Sequence, residues 1–296
     1  MARACPLCGL PPNGKVVAEQ RLDPDALGSF AFASRKEPEY MHYRLVACPG
    51  CDLLYASPAP EPETLAGAYL SADFDTGEES RWAARTYGWL VAPVLPKLAG
   101  RRRALDVGAG DGAFLEELLR LGFAEVVGVE PSDAPRASAT PRIRPHIRDG
   151  LFSSAAFAGE RFDLITCLQT IEHVHDPLGV CREALSLLED GGAFVIVCHN
   201  RRAVSARVMG RRSPIFDVEH LQLFSPASLR RLLTEAGFAG VSAKVVWNRY
   251  PARYWARLAP LPPPMKARTK VLLAGGLGSV GMTLPAGNLA AVGFRR

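Results

Sequence analysis

The sequence has no apolar stretch of about twenty residues, the length that a membrane-crossing helix requires. Its first residues, MARACPLCGL, hold no apolar run of signal-peptide length. There is no internal repeat, no long basic tail and no nucleic-acid-binding signature, so nucleic acid is not an expected partner. Cysteine is scarce and odd in number: seven in all, with Cys167, Cys181 and Cys198 inside apolar segments. These absences argue against a secreted disulfide framework and lead to the expectation of a reducing, cytoplasmic setting. A dominant charge is also missing, since 35 Lys and Arg face 30 Asp and Glu for a formal +5. The arginines do gather at Arg101 to Arg103, at Arg201 and Arg202, and at Arg211 and Arg212. Such clusters suit either a solvated face or the grip on an anionic group such as a phosphate.

What is present fits one large domain and a small one: 296 residues, 48% hydrophobic and 22% charged. Residues 1–62 are rich in Cys, Pro and Gly, with Tyr43 to Ala47 as a strand and Ser57 to Pro62 as a break. Residues 63–98 read as a helical linker with Trp82, Tyr87, Trp89 and Leu90 as packing surface. From 99 to 250 apolar strands at 103–107, 125–129, 162–168 and 193–198 alternate with helices at 112–121, 177–189 and 226–236. A further strand covers 241–247. That rhythm predicts βαβ units and a doubly wound α/β sheet with helices on both faces. Gly122, Gly191-Gly192 and Gly237 stand where helix C-termini are expected, and Asp176-Pro177 and Ser225-Pro226 where helices start. Residues 251–287 interrupt the pattern and read as a lid or acceptor wall. Their apolar run with flanking Arg and Lys suits a lipid surface or ordinary packing over the sheet. Residues 288–296 supply a last strand.

The sharpest site is Leu105-Asp106-Val107-Gly108-Ala109-Gly110-Asp111-Gly112, between an apolar strand and a helix. Glycine there permits a tight turn and close approach of a ligand to the backbone. Glu130 ends the next strand, roughly 20 residues on, where a carboxylate accepts bonds from ribose hydroxyls. Gly108, Gly110 and Ala113 also satisfy a relaxed dinucleotide pattern, which keeps a nicotinamide-dependent oxidoreductase as an alternative.

Asp106-x-Gly108-x-Gly110-x-Gly112 resembles the first motif of class I S-adenosylmethionine-dependent methyltransferases. Glu130, Asp149-Gly150, Phe162 to Ile165, Glu172-His173-Val174, His220 to Pro226 and Leu232 to Phe238 follow in the order that family shows. The resemblance implies a Rossmann-like sheet of seven strands whose last strand, near 289–294, inserts antiparallel beside the fifth. It implies that Gly108 and Gly110 run beside the cofactor, that Glu130 holds its ribose and that Asp149 faces its adenine. Gln169 would border the methionine moiety, and Asp106 would orient the loop and the ammonium group.

Cys5-Pro-Leu-Cys8 and Cys48-Pro-Gly-Cys51 provide four thiolates for a tetrahedral structural zinc. Their spacer of 39 residues requires a loop between the two turns. Two disulfides or free thiols are the other readings. The segment, with Leu53 to Pro58 after it, resembles zinc-binding modules that precede bacterial methyltransferases, some acting on sugars.

Methyl transfer needs alignment of the acceptor and exclusion of water, and a base only where the acceptor keeps its proton. His173 is the first candidate base, with Glu172 as orienting or alternative group and His220 as a further candidate. His175 and His199 lie nearby, and for every histidine a structural hydrogen bond competes with catalysis. The expected function is methyl transfer from S-adenosylmethionine to a small or medium acceptor, a saccharide or secondary-metabolite intermediate among them. A non-catalytic zinc-module interaction protein is the remaining alternative.

Overall fold

In the computed structural model, residues 2–23, 32, 40–70, 77–259 and 261–296 are described. Three short strands come first: β1 (Lys15–Ala18), β2 (Leu45–Ala47) and β3 (Leu54–Ala56), paired antiparallel in that order. Two helices follow, α1 (Pro62–Leu70) and α2 (Gly77–Val91). Residues 71–76 of the expected linker lie outside the described residues.

The central layer then forms in the expected alternation. It runs β4 (Arg103–Val107), α3 (Ala113–Arg120), β5 (Glu125–Glu130), α4 (Asp133–Ser138), β6 (Ile147–Asp149), β7 (Phe162–Leu168), α5 (Pro177–Leu187) and β8 (Leu188–His199). Next come α6 (Val204–Met209), β9 (Gln222–Leu223), α7 (Pro226–Glu235), β10 (Ala239–Pro251), α8 (Ala252–Leu258), α9 (Pro263–Leu272) and β11 (Gly281–Phe294).

Seven strands make one sheet in the order β10-β11-β8-β7-β4-β5-β6. Pairs β4–β5, β4–β7, β5–β6 and β7–β8 are parallel. β11 is antiparallel to both neighbours and inserts beside β8, with Leu289 opposite Cys198 and Val245. The sheet is therefore the doubly wound, mostly parallel one expected. Every residue of β7, Phe-Asp-Leu-Ile-Thr-Cys-Leu, is buried, as a central strand covered on both faces demands. No helix of the described residues is long and apolar enough to cross a membrane.

Three details depart from the expectation. α5 ends at Leu187 and Leu188 already begins β8, so Gly191-Gly192 do not cap the helix. Gly191 instead makes a left-handed turn at φ 76°, close against Ala99, inside the early part of β8. β10 and β11 both run beyond their sequence-read ends and stay paired out to Pro251 opposite Gly281. The helices of the expected insertion thus sit at the far end of a long antiparallel arm. Finally, β9 leaves the core to pair with β3, placing Leu223 opposite Leu54 and Gln222 opposite Tyr55. A two-residue strand carries no alternation by which a sequence could reveal it.

Candidate active site

A cavity of about 780 Å³ opens where β4, β5, β7 and β8 end, the usual ligand crevice of such sheets. Its volume sits in the upper part of the range for cofactor and small-ligand sites, about 300–1,000 Å³. One side is the glycine loop. Gly108, Gly110 and Gly112 hold φ values of 76°, 55° and 73°, a left-handed conformation that side chains resist. A Cβ on Gly108 would lie 2.3 Å from Thr170 Oγ1, whereas Gly110 faces open space. The backbone is thereby left bare toward the cavity at Gly110.

Glu130 is buried and clamps this loop. Gly110 N–H donates to its Oε2 at 3.0 Å and Ser132 N–H to its Oε1 at 2.9 Å. Burial raises the Glu130 carboxyl above its usual range, and those two N–H groups oppose the rise. Asp106 is buried as well, and the Thr166 hydroxyl donates to it at 2.6 Å. Burial pushes the Asp106 carboxyl up to about 8, with the Thr166 bond opposing and Glu130 adding. Asp111 carries an anion at the start of α3, where its Oδ1 accepts from Ala113 N–H at 3.2 Å.

Gln169 follows β7 with φ 56°, a costly value for a side-chain-bearing residue. Both polar atoms of its amide are buried without a hydrogen-bond partner among the described residues. Gln169 lines the cavity, so the amide awaits a polar ligand. Asp149 ends β6 but pairs with Arg136 at 3.0 Å and does not line the cavity. Gly150, Leu151 and Phe152 line it there instead. Asp106, Gly108, Gly110, Glu130 and Gln169 are thus gathered on one wall, and Asp149 stands outside it.

The opposite wall carries three histidines. The His199 and His220 rings lie 4.6 Å apart and the His173 and His220 rings 5.1 Å apart. His173 also stacks on Tyr69 of α1 at 5.8 Å. Glu172, expected to orient His173, engages His199: its Oε1 lies 2.7 Å from His199 Nδ1 and accepts the His199 N–H at 3.1 Å. Sequence neighbours on a tight turn project in different directions, and the end of β8 brings His199 to the side Glu172 takes. Glu172 itself is fully buried behind His199 and does not line the cavity. His220 Nδ1 bonds the Ile215 carbonyl at 2.9 Å, so that nitrogen carries the proton. Burial holds His220 well below the usual histidine pKa and keeps it neutral. Glu172, His199 and His220 are near enough to share an ion, as are His173, Glu219 and His220.

The turn bearing Glu172 and His173 is braced by Arg3 of the N-terminal segment and by Leu221 and Gln222 at β9, the strand that pairs with β3 of that segment. Arg3 donates to the His175 carbonyl, and Gln222 Nε2 donates to the carbonyls of Ile171 and Val174 at 2.9 and 2.8 Å. Leu221 N–H donates to the Glu172 carbonyl at 2.9 Å. In the same segment Cys5 Sγ lies 3.5 Å from Cys51 Sγ and Cys8 Sγ lies 3.4 Å from Cys48 Sγ, with all four within 4.8 Å of one another. A tetrahedron with metal–sulfur bonds of about 2.3 Å has edges of about 3.8 Å, so the four sulfurs fit one zinc. All seven cysteines are free. Of the arginines expected to grip an anion, Arg201 and Arg202 are engaged elsewhere. Arg202 pairs with Asp52, next to Cys51, and Arg201 Nη1 donates to the Asp52 carbonyl at 3.0 Å. Arg211 and Arg212 are exposed and do not line the cavity.

The outer wall is apolar and aromatic: Ile215, Tyr250, Tyr254, Trp255, Leu258 and Leu284. Tyr250 and Tyr254 stack at 4.2 Å. Tyr254, Trp255, Leu258 and Leu284 fall in the segment 251–287 that the sequence offered as a lid or acceptor wall, whereas nothing local marked Tyr250 or Ile215.

Residues 80–243, more than half of the chain, match the family model described as methyltransferase domain. The ubiquinone biosynthesis O-methyltransferase of Proteus mirabilis is 33% identical over 117 residues, which cover 37% of this chain and 47% of that protein. The protein of the same description from Cereibacter sphaeroides is 32% identical over 161 residues, covering 49% of this chain and 64% of its own length. The chain thus spans about half to just under two thirds of these curated relatives. Among solved structures, the YcgJ protein of a Bacillus superposes with a TM-score of 0.50 at 16% identity, over 72% of this chain and 98% of that one, a likeness of fold.

Proposed function

Because the chain belongs to the methyltransferase-domain family, we propose that it transfers the methyl group of S-adenosylmethionine to a hydroxyl oxygen of a small acceptor. The observation that carries this reading is the pairing, across one cavity, of the unsatisfied Gln169 amide and glycine loop with the Glu172–His199 pair. Glu130 would hold the ribose hydroxyls, Gly110 would let the cofactor lie against the backbone, and the Gln169 amide would bond the methionine portion. When bound there, S-adenosylmethionine would supply a methyl on a sulfonium, whose carbon–sulfur bond breaks to leave a neutral thioether.

The chain's own task is then the acceptor. His199 Nδ1–H donates to Glu172, which leaves Nε2 as a lone pair aimed away from the carboxylate. That nitrogen takes the hydroxyl proton as the oxygen–methyl bond forms. His220, neutral and anchored on Ile215, and His173, stacked on Tyr69, shape the floor around it. The aromatic and apolar outer wall favours a hydroxyl on a ring-bearing, largely apolar acceptor over a bare saccharide. The relatives from Proteus mirabilis and Cereibacter sphaeroides are O-methyltransferases, which agrees with oxygen as the target.

A nicotinamide cofactor is not favoured, because the Asp111 carboxylate occupies the start of α3, where a pyrophosphate would need to lie. The four thiolates hold one structural zinc with no open coordination position, so the metal braces the fold and takes no part in transfer. The test is titration calorimetry with S-adenosylhomocysteine and with NAD, followed by labelled S-adenosylmethionine in cell extract and mass identification of the product. Binding of S-adenosylhomocysteine and a labelled methyl ether are expected. Tight NAD binding with none for S-adenosylhomocysteine overturns the reading.

A further inference from the structure

Charge is distributed unevenly along this chain. Residues 236–296 carry nine basic residues and no acidic one, so the overall +5 conceals −4 over residues 1–235. The basic stretch holds the arm formed by β10, α8, α9 and β11. One side of the arm is tied down. Arg257 of α8 pairs with Glu79 of α2 at 3.6 Å, and Trp255 Nε1–H donates to the Met282 carbonyl at 3.0 Å. Tyr254, Trp255 and Leu258 of α8 wall the cavity.

On the other side, the apolar side chains at the tip stand open to solvent among the described residues. Val271 is 78% exposed, Leu272 71%, Leu277 69%, Val280 54% and Met265 52%. Scattered single apolar residues on a surface need no explanation, but five within one short tip form a patch that marks an interaction. Lys266, Arg268 and Lys270 of α9 stand among them. A second copy of this chain would bring basic tip against basic tip. An anionic lipid surface instead satisfies both features, taking the apolar side chains at the headgroup boundary and the cations at the phosphates.

We propose that α9 and the turn at 276–280 dock on an anionic phospholipid bilayer, so that the cavity mouth beside α8 faces the membrane. Resting on the methyl-transfer reading, the acceptor is then a lipid-soluble hydroxyl compound that enters from the bilayer side. The arm places its anchored wall on the cavity and its free tip on the lipid, so docking needs no rearrangement of the glycine loop.

The test is co-sedimentation of the full chain with vesicles of phosphatidylcholine alone and of phosphatidylcholine with phosphatidylglycerol. Binding should be at least about tenfold stronger on the anionic vesicles and should weaken with salt. Replacing Lys266, Arg268 and Lys270 by Gln should lower it by about fivefold per residue. Val271→Asp with Leu272→Asp should lower it by about tenfold or more. All these variants should keep the wild-type affinity for S-adenosylhomocysteine, since none touches the cavity. Equal binding to neutral vesicles, or unchanged binding by the tip variants, overturns the proposal. So does a dimer in light scattering that Val271→Asp dissolves while vesicle binding is absent throughout. Vesicle binding without any S-adenosylhomocysteine binding would instead sink the methyl-transfer reading and leave the lipid surface standing.

Discussion

The two walls of the cavity are built in opposite ways. The cofactor wall comes largely from one βαβ unit, with Asp106 to Gly112 and Glu130 separated by a single helix. The acceptor wall draws on α1, the turn after β7, the end of β8, the segment before β9, and the arm. The first wall carries buried carboxylates whose protonation is disturbed, Asp106 and Glu130. The second carries His173, His199 and His220, the last held neutral by burial, together with aromatic rings. A ligand held by contiguous backbone needs little from the rest of the fold. A wall assembled from distant segments depends on whatever holds those segments, and here the N-terminal module holds several.

That difference predicts how the halves separate under perturbation. The largest effect should come from the module. On the zinc reading, chelation, or Cys48→Ser, should unfold the four-cysteine segment before Pro62, since structural zinc in small sites supplies about 10–16 kcal/mol of apparent binding free energy. Transfer activity should collapse, because β9, Arg3 and the Arg202–Asp52 pair no longer steady the Glu172 turn and the loop after His199. Affinity for S-adenosylhomocysteine should survive within a few-fold. Hydrogen exchange and calorimetry on the same sample check both parts, and equal loss of the two would abolish the distinction between the walls. Metal analysis of reduced, freshly purified protein that finds no zinc removes the premise.

The next effect belongs to the acceptor wall alone. His199→Gln should lower kcat by about 10²- to 10⁴-fold, the usual worth of a positioned base, without altering S-adenosylhomocysteine affinity. Glu172→Gln should lower kcat less, because the amide oxygen still accepts from His199 Nδ1–H and keeps the ring in place. Should His173→Gln prove the damaging change and His199→Gln a mild one, the base has been misassigned. The cofactor wall answers to Glu130→Ala, which strands the Gly110 and Ser132 N–H groups. A rise in S-adenosylhomocysteine Kd of about 10- to 100-fold is expected, with kcat at saturation nearly intact. A kcat loss as large as that of His199→Gln would show the two walls to be one coupled unit.

Contiguity also explains what could be read from the sequence. The β4–α3–β5 unit follows from apolar runs and glycines, while the inserted β11 and the gathering of Gly108, Gly110, Glu130 and Gln169 follow from the family resemblance that the ordered motifs carry. Local chemistry at helix starts was equally plain, since Ser225 caps α7 with Pro226 behind it and Asp176 caps α5. The Glu172–His199 pair was hidden, because 26 residues intervene and only the parallel β7–β8 register brings them together. Asp149 shows the converse limit. Its place at the end of β6 was legible, but its partner Arg136 on α4 was not. The engagement of Arg201 and Arg202 by Asp52 escaped for the same reason, as it joins residues about 150 positions apart.

The smallest predicted effect concerns the carboxylates of the cofactor wall and is read through pH. The Asp106 carboxyl, pushed up to about 8 by burial, holds a proton at neutral pH in the ligand-free protein. An unfolded aspartate loses that proton near 3.9. Between those values the folded chain binds a proton that the unfolded chain does not, so this group's contribution to stability falls as pH rises. An ammonium-bearing cofactor favours the ionised form, and its binding must therefore release the Asp106 proton. Affinity for S-adenosylhomocysteine should tighten by up to about tenfold per pH unit as pH rises toward 8, and level off above it. Calorimetry in buffers of different ionisation enthalpy, with the ligand's own titration subtracted, should register the released proton at pH 7. Asp106→Asn should flatten the profile while leaving kcat at saturation largely in place. A flat profile in the unaltered protein would mean that Asp106 is already ionised without ligand, and the contrast in protonation between the two walls would then disappear.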